Sequence, residues 1–217
     1  MAGTVAIGLV TWLWLTFSNS MPSDRRAQQL FVALAVLGFI YSLFVGFMLT
    51  ADVVSEEKRE GTLGLLFLTD LKGYDVVFGK LVASSLYAFY GLMAIFPVLT
   101  LPLLLGGIAY AEVGRMAAVL LNTLWFSLAV GMLVSSFSRH DRKAQAGAFC
   151  LMLLVTGGWP VMLSIWAHWS KSTVPLLMYA PSAGFTFAQA FDTQFVKNPP
   201  LFWYSLGFIH VLGWVAL

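Results

Sequence analysis

The sequence predicts an all-α, polytopic integral membrane protein of about six transmembrane helices, with a short amphipathic helix between the second and third. Three observations carry this. Charged residues are 10% of the 217, against about 25% in ordinary soluble domains. Hydrophobic residues are 59%, which leaves too little polar surface to cover a soluble globule of this size. Uncharged runs close to the roughly 20 residues that a spanning helix needs then recur along the whole chain.

Six such runs follow one another: Ala2–Phe17, Leu30–Thr50, Leu81–Ala111, Met116–Ser138, Ala144–Ser170 and Leu201–Leu217. The first is short, but no Lys or Arg precedes it, which favours a span over a signal peptide. The third exceeds one membrane thickness and must tilt, kink or protrude, with Pro97 and Pro102 as places to bend. In the fourth, Asn122 and Ser127 face either a cavity or another helix, and helix packing is the expected role. The sixth stops at Leu217 without a polar flank, so 1–217 reads as a single transmembrane domain truncated within its last span.

Loop charges set the orientation. Lys58, Arg59, Lys72, Lys80, Arg139, Arg142 and Lys143 fall on one side, and Arg25, Arg26, Arg115, Lys171 and Lys197 on the other. This excess places the N-terminus and Glu56–Glu60 in the cytoplasm, as in a multi-pass protein of the bacterial cytoplasmic membrane. On the far side, Ser172–Asn198 reads either as a re-entrant segment or as an interfacial loop.

Catalytic chemistry is not expected. Gly73 and Gly79-Lys80-Leu81 faintly resemble a phosphate loop, but five residues separate the glycines and leucine replaces the magnesium-binding Ser or Thr. Ser135, Ser136 and Ser138 precede Arg139, His140 and Asp141 without a nucleophile elbow. His140, His168 and His210 are scattered, Cys150 is alone, and no metal-ligand spacing occurs. The reading is a non-catalytic protein with no cofactor, no metal and no nucleic-acid partner.

The stretch Ser55–Asp70, "SEEKREGTLGLLFLTD", stands out in so apolar a chain. Continued as a helix from the second span, it would stack Asp52, Glu56 and Glu60 in one stripe at the negative end of the helix dipole. That arrangement is unfavourable unless cations meet it. Gly61 can end the helix, Thr62 can cap a new one, and Leu63, Leu66 and Phe67 then share a face. A turn at Lys72–Asp75, with Asp75 as cap, leads into the third span. The product is a short amphipathic helix hung between two spans, suited to a membrane surface or to a groove in a partner.

These residues are familiar as a set. Glu57-Lys58-Arg59-Glu60-Gly61-Thr62-Leu63, Leu65-Leu66, Thr69, Leu71 and Asp75-Val76-Val77 with Gly79-Lys80 resemble the permease signature of type-2 ATP-binding-cassette transporters. Gly64 stands where an acidic residue is common in that family, and Asp70 where proline is common. The resemblance implies a permease subunit, serving an exporter, whose coupling helix around Thr62–Leu68 seats in a separate ATPase subunit. It implies a second permease copy or homologue as partner, rocking against this one within membrane lipid. Glu57 and Glu60 would orient the coupling helix, and Lys80 would snorkel to lipid phosphates or pair with the acidic cluster. A membrane scaffold or a secondary transporter are the other classes compatible with these spans.

The topology is testable. Single cysteines at Ser55 and at Ser172, in a background lacking Cys150, should react with an impermeant thiol reagent from opposite sides of intact cells. Labelling of both from outside would remove this topology.

Overall fold

A computed structural model describes residues 23–51, 73–138, 140–171 and 173–217. The predicted first span Ala2–Phe17 and the segment 52–72, with its expected coupling helix, lie outside the described residues. Within them every regular element is helical: α1 (Ser23–Thr50), α2 (Gly73–Leu105), α3 (Tyr110–Phe137), and α4 (Asp141–Leu153), which passes through a π-turn (Leu154–Gly158) into α5 (Trp159–Ser170). A 3-10 turn (Leu176–Tyr179), two short helices, α6 (Ala183–Gln189) and α7 (Asp192–Phe195), and a last helix α8 (Pro199–Ala216) complete the chain.

Among the described residues, four helices are long and apolar enough to cross a membrane: Arg25–Thr50, Phe78–Leu105, Tyr110–Phe137 and Arg142–Ser170. The expected sixth span is α8, which is shorter and carries Pro199, Pro200 and His210 among its apolar residues. Boundaries moved for physical reasons. The third span ends at Leu105 because Gly106 and Gly107 turn the chain with φ of 82° and 85°, a region open to glycine at little cost. The same helix runs through Pro97 and Pro102. It begins at Gly73, so Asp75 lies in its first turn and is not the cap before it. The fourth span starts at Tyr110, drawing Glu112 and Arg115 inside the helix as buried residues; Arg115 is therefore not a loop charge.

The core of the bundle is the parallel pair α1 and α3. On α1, Gly38, Ser42, Gly46 and Thr50 recur every four residues; on α3, Thr123, Ser127, Gly131 and Ser135 do the same. All eight are buried, and such ladders of small residues let backbones approach closely in lipid. The approach here leaves no room. A Cβ on Gly46 would lie 2.5 Å from Ser127 Oγ and 2.9 Å from Leu128 N, and one on Gly131 would strike Thr50 Oγ1 and lie 2.8 Å from Phe47 Cα.

Hydroxyl groups then stitch the seam. Phe47 N–H donates to Ser127 Oγ at 2.9 Å, and Ser127 Oγ donates to Leu43 O at 2.5 Å. Residues 43 and 47 are one i, i+4 pair of α1, and the hydroxyl touches the polar groups of both. Thr50 Oγ1 reaches Leu128 O at 2.9 Å and its own helix at Gly46 O, 3.0 Å. Beside this pair, Tyr41 Oη donates to Ala88 O of α2 at 3.2 Å, and α8 lies along the other side of α3.

Gly131→Ala should therefore cost about 1–3 kcal/mol by overpacking and lower the thermal midpoint of the detergent-solubilised protein. Gly114→Ala, on the same helix with nothing within 4 Å of its would-be Cβ, should be neutral or slightly stabilising. Equal midpoints for the two variants would show that the seam is not tight.

Candidate functional site

The coupling residues expected from the sequence, Glu57, Glu60, Gly61, Thr62, Leu63, Leu66 and Phe67, all lie outside the described residues. Lys80 is described, half-buried in the second turn of α2. Thr50 and Gly73, which bracket the segment 52–72, are the adjoining ends of α1 and α2. The opposite end of the bundle, and the groove beside α3, hold two further clusters of polar side chains.

At that opposite end the chain after α5 turns back into the bundle. Its seat begins with the sequence Thr156-Gly157-Gly158, two poor helix formers in the middle of a long span, where the helix widens into the π-turn. Such a turn disturbs the regular ladder, and Thr156 O accepts a hydrogen bond from Ser182 Oγ at 2.7 Å. The same hydroxyl caps α6 by accepting from Phe185 N at 3.2 Å. Gly184 completes the fit, since a Cβ there would lie 2.5 Å from Thr156 O. Trp159 Nε1 secures the descending chain by donating to Met178 O at 2.9 Å.

Depth follows from residue counting. Thr156 is fourteen residues from either end of Arg142–Ser170, about 21 Å along the helix. Phe187 of α6 stacks on Phe39 of α1 with ring centroids 4.5 Å apart, and Phe191 meets Phe31 edge-on at 6.1 Å. Residues 173–195 thus form a hairpin that reaches the mid-level of the spans and returns.

Charges fix the returning arm. Arg115 donates through Nε to Ala190 O at 3.1 Å, forms an ion pair with Asp192, and lies 4.0 Å over the ring of Phe195. Glu112, one turn earlier, accepts from Asp192 N at 3.1 Å. Buried charges persist when they are paired and hydrogen-bonded, and here two side chains of α3 hold both faces of one hairpin turn.

Between α3 and α8 lies an open groove of about 600 Å³, lined in part by Asn122, Trp125, Trp203, Gly207 and His210. Asn122 does pack, as expected: its Nδ2 donates to Leu206 O at 2.9 Å, and its Oδ1 lies 2.9 Å from His210 Nδ1. Trp214 Nε1 donates to His210 Nε2 at 3.2 Å. Among the described residues, no group of three or more His, Cys, Asp or Glu is placed to hold a metal ion.

The family model described as "ABC-2 family transporter protein" matches residues 3–207, nearly the whole chain. The protein belongs to the ABC-2 transporter family. Comparison with curated proteins and with solved structures finds no match. The ABC-2 permease identified in this way is a transmembrane transport protein, and its family is one of membrane components that work with ABC ATPases. The permease signature between Glu57 and Lys80 and the family match agree, although they rest on different amounts of the chain.

The sequence reading missed the Arg115 clamp and the Ser182–Thr156 clasp of this permease. A signal was present for each. Glu112 and Arg115 are the only charges between Lys80 and Arg139, spaced one helical turn apart, and Thr-Gly-Gly interrupts an apolar run at its centre.

Arg115→Met should loosen the hairpin by about 1.5–3 kcal/mol, the loss expected for hydrogen bonds to a charged group, and raise amide exchange across 183–195. Asp192→Asn should do less, because Ala190 O and the Phe195 ring still engage Arg115. Unchanged exchange in both variants would remove the clamp.

Proposed function

We propose that this chain is the membrane-spanning half of an ATP-driven exporter, coupling hydrolysis on a separate nucleotide-binding subunit to movement of its own helices. The observation that supports this most directly is the course of α1. One continuous helix runs from Thr50, beside the permease signature, to Phe39 and Phe31, against which the hairpin packs. Because α1 is locked to α3 along the small-residue seam, a push at the Thr50 end moves the pair together. The same pair carries Phe31 and Phe39 on one helix and Glu112 and Arg115 on the other, all four gripping the hairpin.

In this mechanism the segment Thr62–Leu68 seats Leu63, Leu66 and Phe67 in the ATPase, while Glu57 and Glu60 orient it and Gly61 supplies the turn. Lys80, at the start of the next span, meets lipid phosphates or the acidic cluster. ATP binding then favours one arrangement of α1–α3 over another, which requires contacts that differ between the two states; the hairpin contacts are the candidates. A second permease copy or homologue completes the pathway in the cytoplasmic membrane of a bacterium, and no step of chemistry falls to this chain. A secondary transporter would place ionisable groups along a path at mid-depth. Among the described residues only His210 stands there, and both its ring nitrogens are engaged.

Leu66→Asp would put a charge into the proposed ATPase groove and should abolish ATPase co-purification without reducing membrane insertion. Gly61→Val should weaken it through a left-handed turn made costlier by roughly 1–2 kcal/mol. Lys72→Ala, beyond the docking face, serves as the control and should do little. Full ATPase association and activity in Leu66→Asp would falsify the coupling assignment.

A further inference from the structure

We propose that the groove between α3 and α8 binds an uncharged, largely apolar molecule bearing a hydrogen-bond acceptor, which enters sideways from the bilayer. As a cargo site, the groove rests on the permease reading above.

Asn122 is twelve residues from the start of α3 and fifteen from its end, well inside the roughly 30 Å hydrocarbon layer if α3 spans it. Polar side chains at that depth, facing outward, are costly unless they are satisfied or covered. Most of the hydrogen-bonding capacity is used internally, and in one direction only. Trp214 Nε1 can only donate, so His210 Nε2 accepts. The imidazole proton then sits on Nδ1 and is given to Asn122 Oδ1. Asn122 Nδ2 in turn donates to Leu206 O.

What remains is selective. Two donors remain at this depth among the groove's lining: the second amide hydrogen of Asn122, and Trp125 Nε1, which is buried without a partner among the described residues. No Asp, Glu, Lys or Arg lines the groove, so neither an anion nor a cation would find a counter-charge there. Trp125 and Trp203 give it flat apolar walls, and its volume of about 600 Å³ lies in the range of small-molecule sites. An uncharged planar molecule with an acceptor satisfies each of these terms. A lipid chain would leave the amide hydrogen unpaired.

Nile red, an uncharged planar dye with a carbonyl acceptor, is a suitable probe for the full chain in lipid nanodiscs, read by energy transfer from tryptophan against empty nanodiscs. Binding should be saturable, and excess ethidium, a planar cation, should not displace it. Gly207→Phe fills the groove from a position where an added Cβ meets nothing within 4 Å, and should weaken binding by about tenfold or more. Asn122→Leu, which removes the amide donor, should weaken it by a similar factor. Uptake that never saturates, unchanged affinity in both variants, or displacement by ethidium would overturn the proposal. So would a disulfide-linked dimer of Val211→Cys that excludes the dye, since a second copy would then be the occupant. ATPase co-purification of the unsubstituted chain is scored in parallel. Its absence strikes the permease reading, whereas its presence with unsaturable dye uptake strikes the groove alone.

Discussion

The contact on which the rest of the structure depends is the seam between α1 and α3, where the Ser127 hydroxyl bonds to both Phe47 N–H and Leu43 O of the neighbouring helix. In lipid there is no hydrophobic drive between helices, so association rests on close packing and on interhelical hydrogen bonds worth about 0.6 kcal/mol each on average. Individually these are small. Together with glycines at 46 and 131 that permit backbone contact, they fix both spacing and register. Separating the helices would leave the Ser127 hydroxyl without its partners Phe47 N–H and Leu43 O, in a medium with no water to replace them.

Everything at the far end of the bundle is referred to this pair. The hairpin is held by ring contacts to α1 and by Glu112 and Arg115 of α3, and it is seated on α4–α5 through the Thr156 carbonyl at the π-turn and the Trp159 indole. Three of the five long segments thus converge on about twenty residues that are themselves too short and irregular to be stable alone. The arrangement also explains how a guanidinium is tolerated as a buried residue of a long, largely apolar helix. Arg115 has an acidic partner, a carbonyl and an aromatic face within reach, so little of its charge is left unmet. The groove on the other side of α3 solves its polarity problem differently, by a chain of hydrogen bonds from Trp214 to Leu206.

Much of the fold was legible because hydropathy is a one-dimensional property: the spans from Leu30, Leu81, Met116, Ala144 and Leu201 each correspond to a helix. Errors of boundary came from treating charge as the end of a span. Arg115 was read as a loop residue because its partner, Asp192, lies seventy-seven positions away. The roles of Ser127 and Asn122 were open for the same reason. Either could have faced a cavity, and only the neighbouring helix shows that Ser127 is packed while Asn122 both packs and lines a groove.

The sequence by itself determined the class of protein, the order of its spans and the resemblance of Glu57–Lys80 to a permease signature. These follow from composition and from local runs, which act over one helix at a time. The tertiary structure decided the α1–α3 register, the hairpin course of residues 173–195, the burial of Glu112 and Arg115, and the pairing of Asn122 with His210. Each of these depends on which small residue on one helix stands opposite which on another. That is a property of two segments brought together in space, and no stretch of either one contains it.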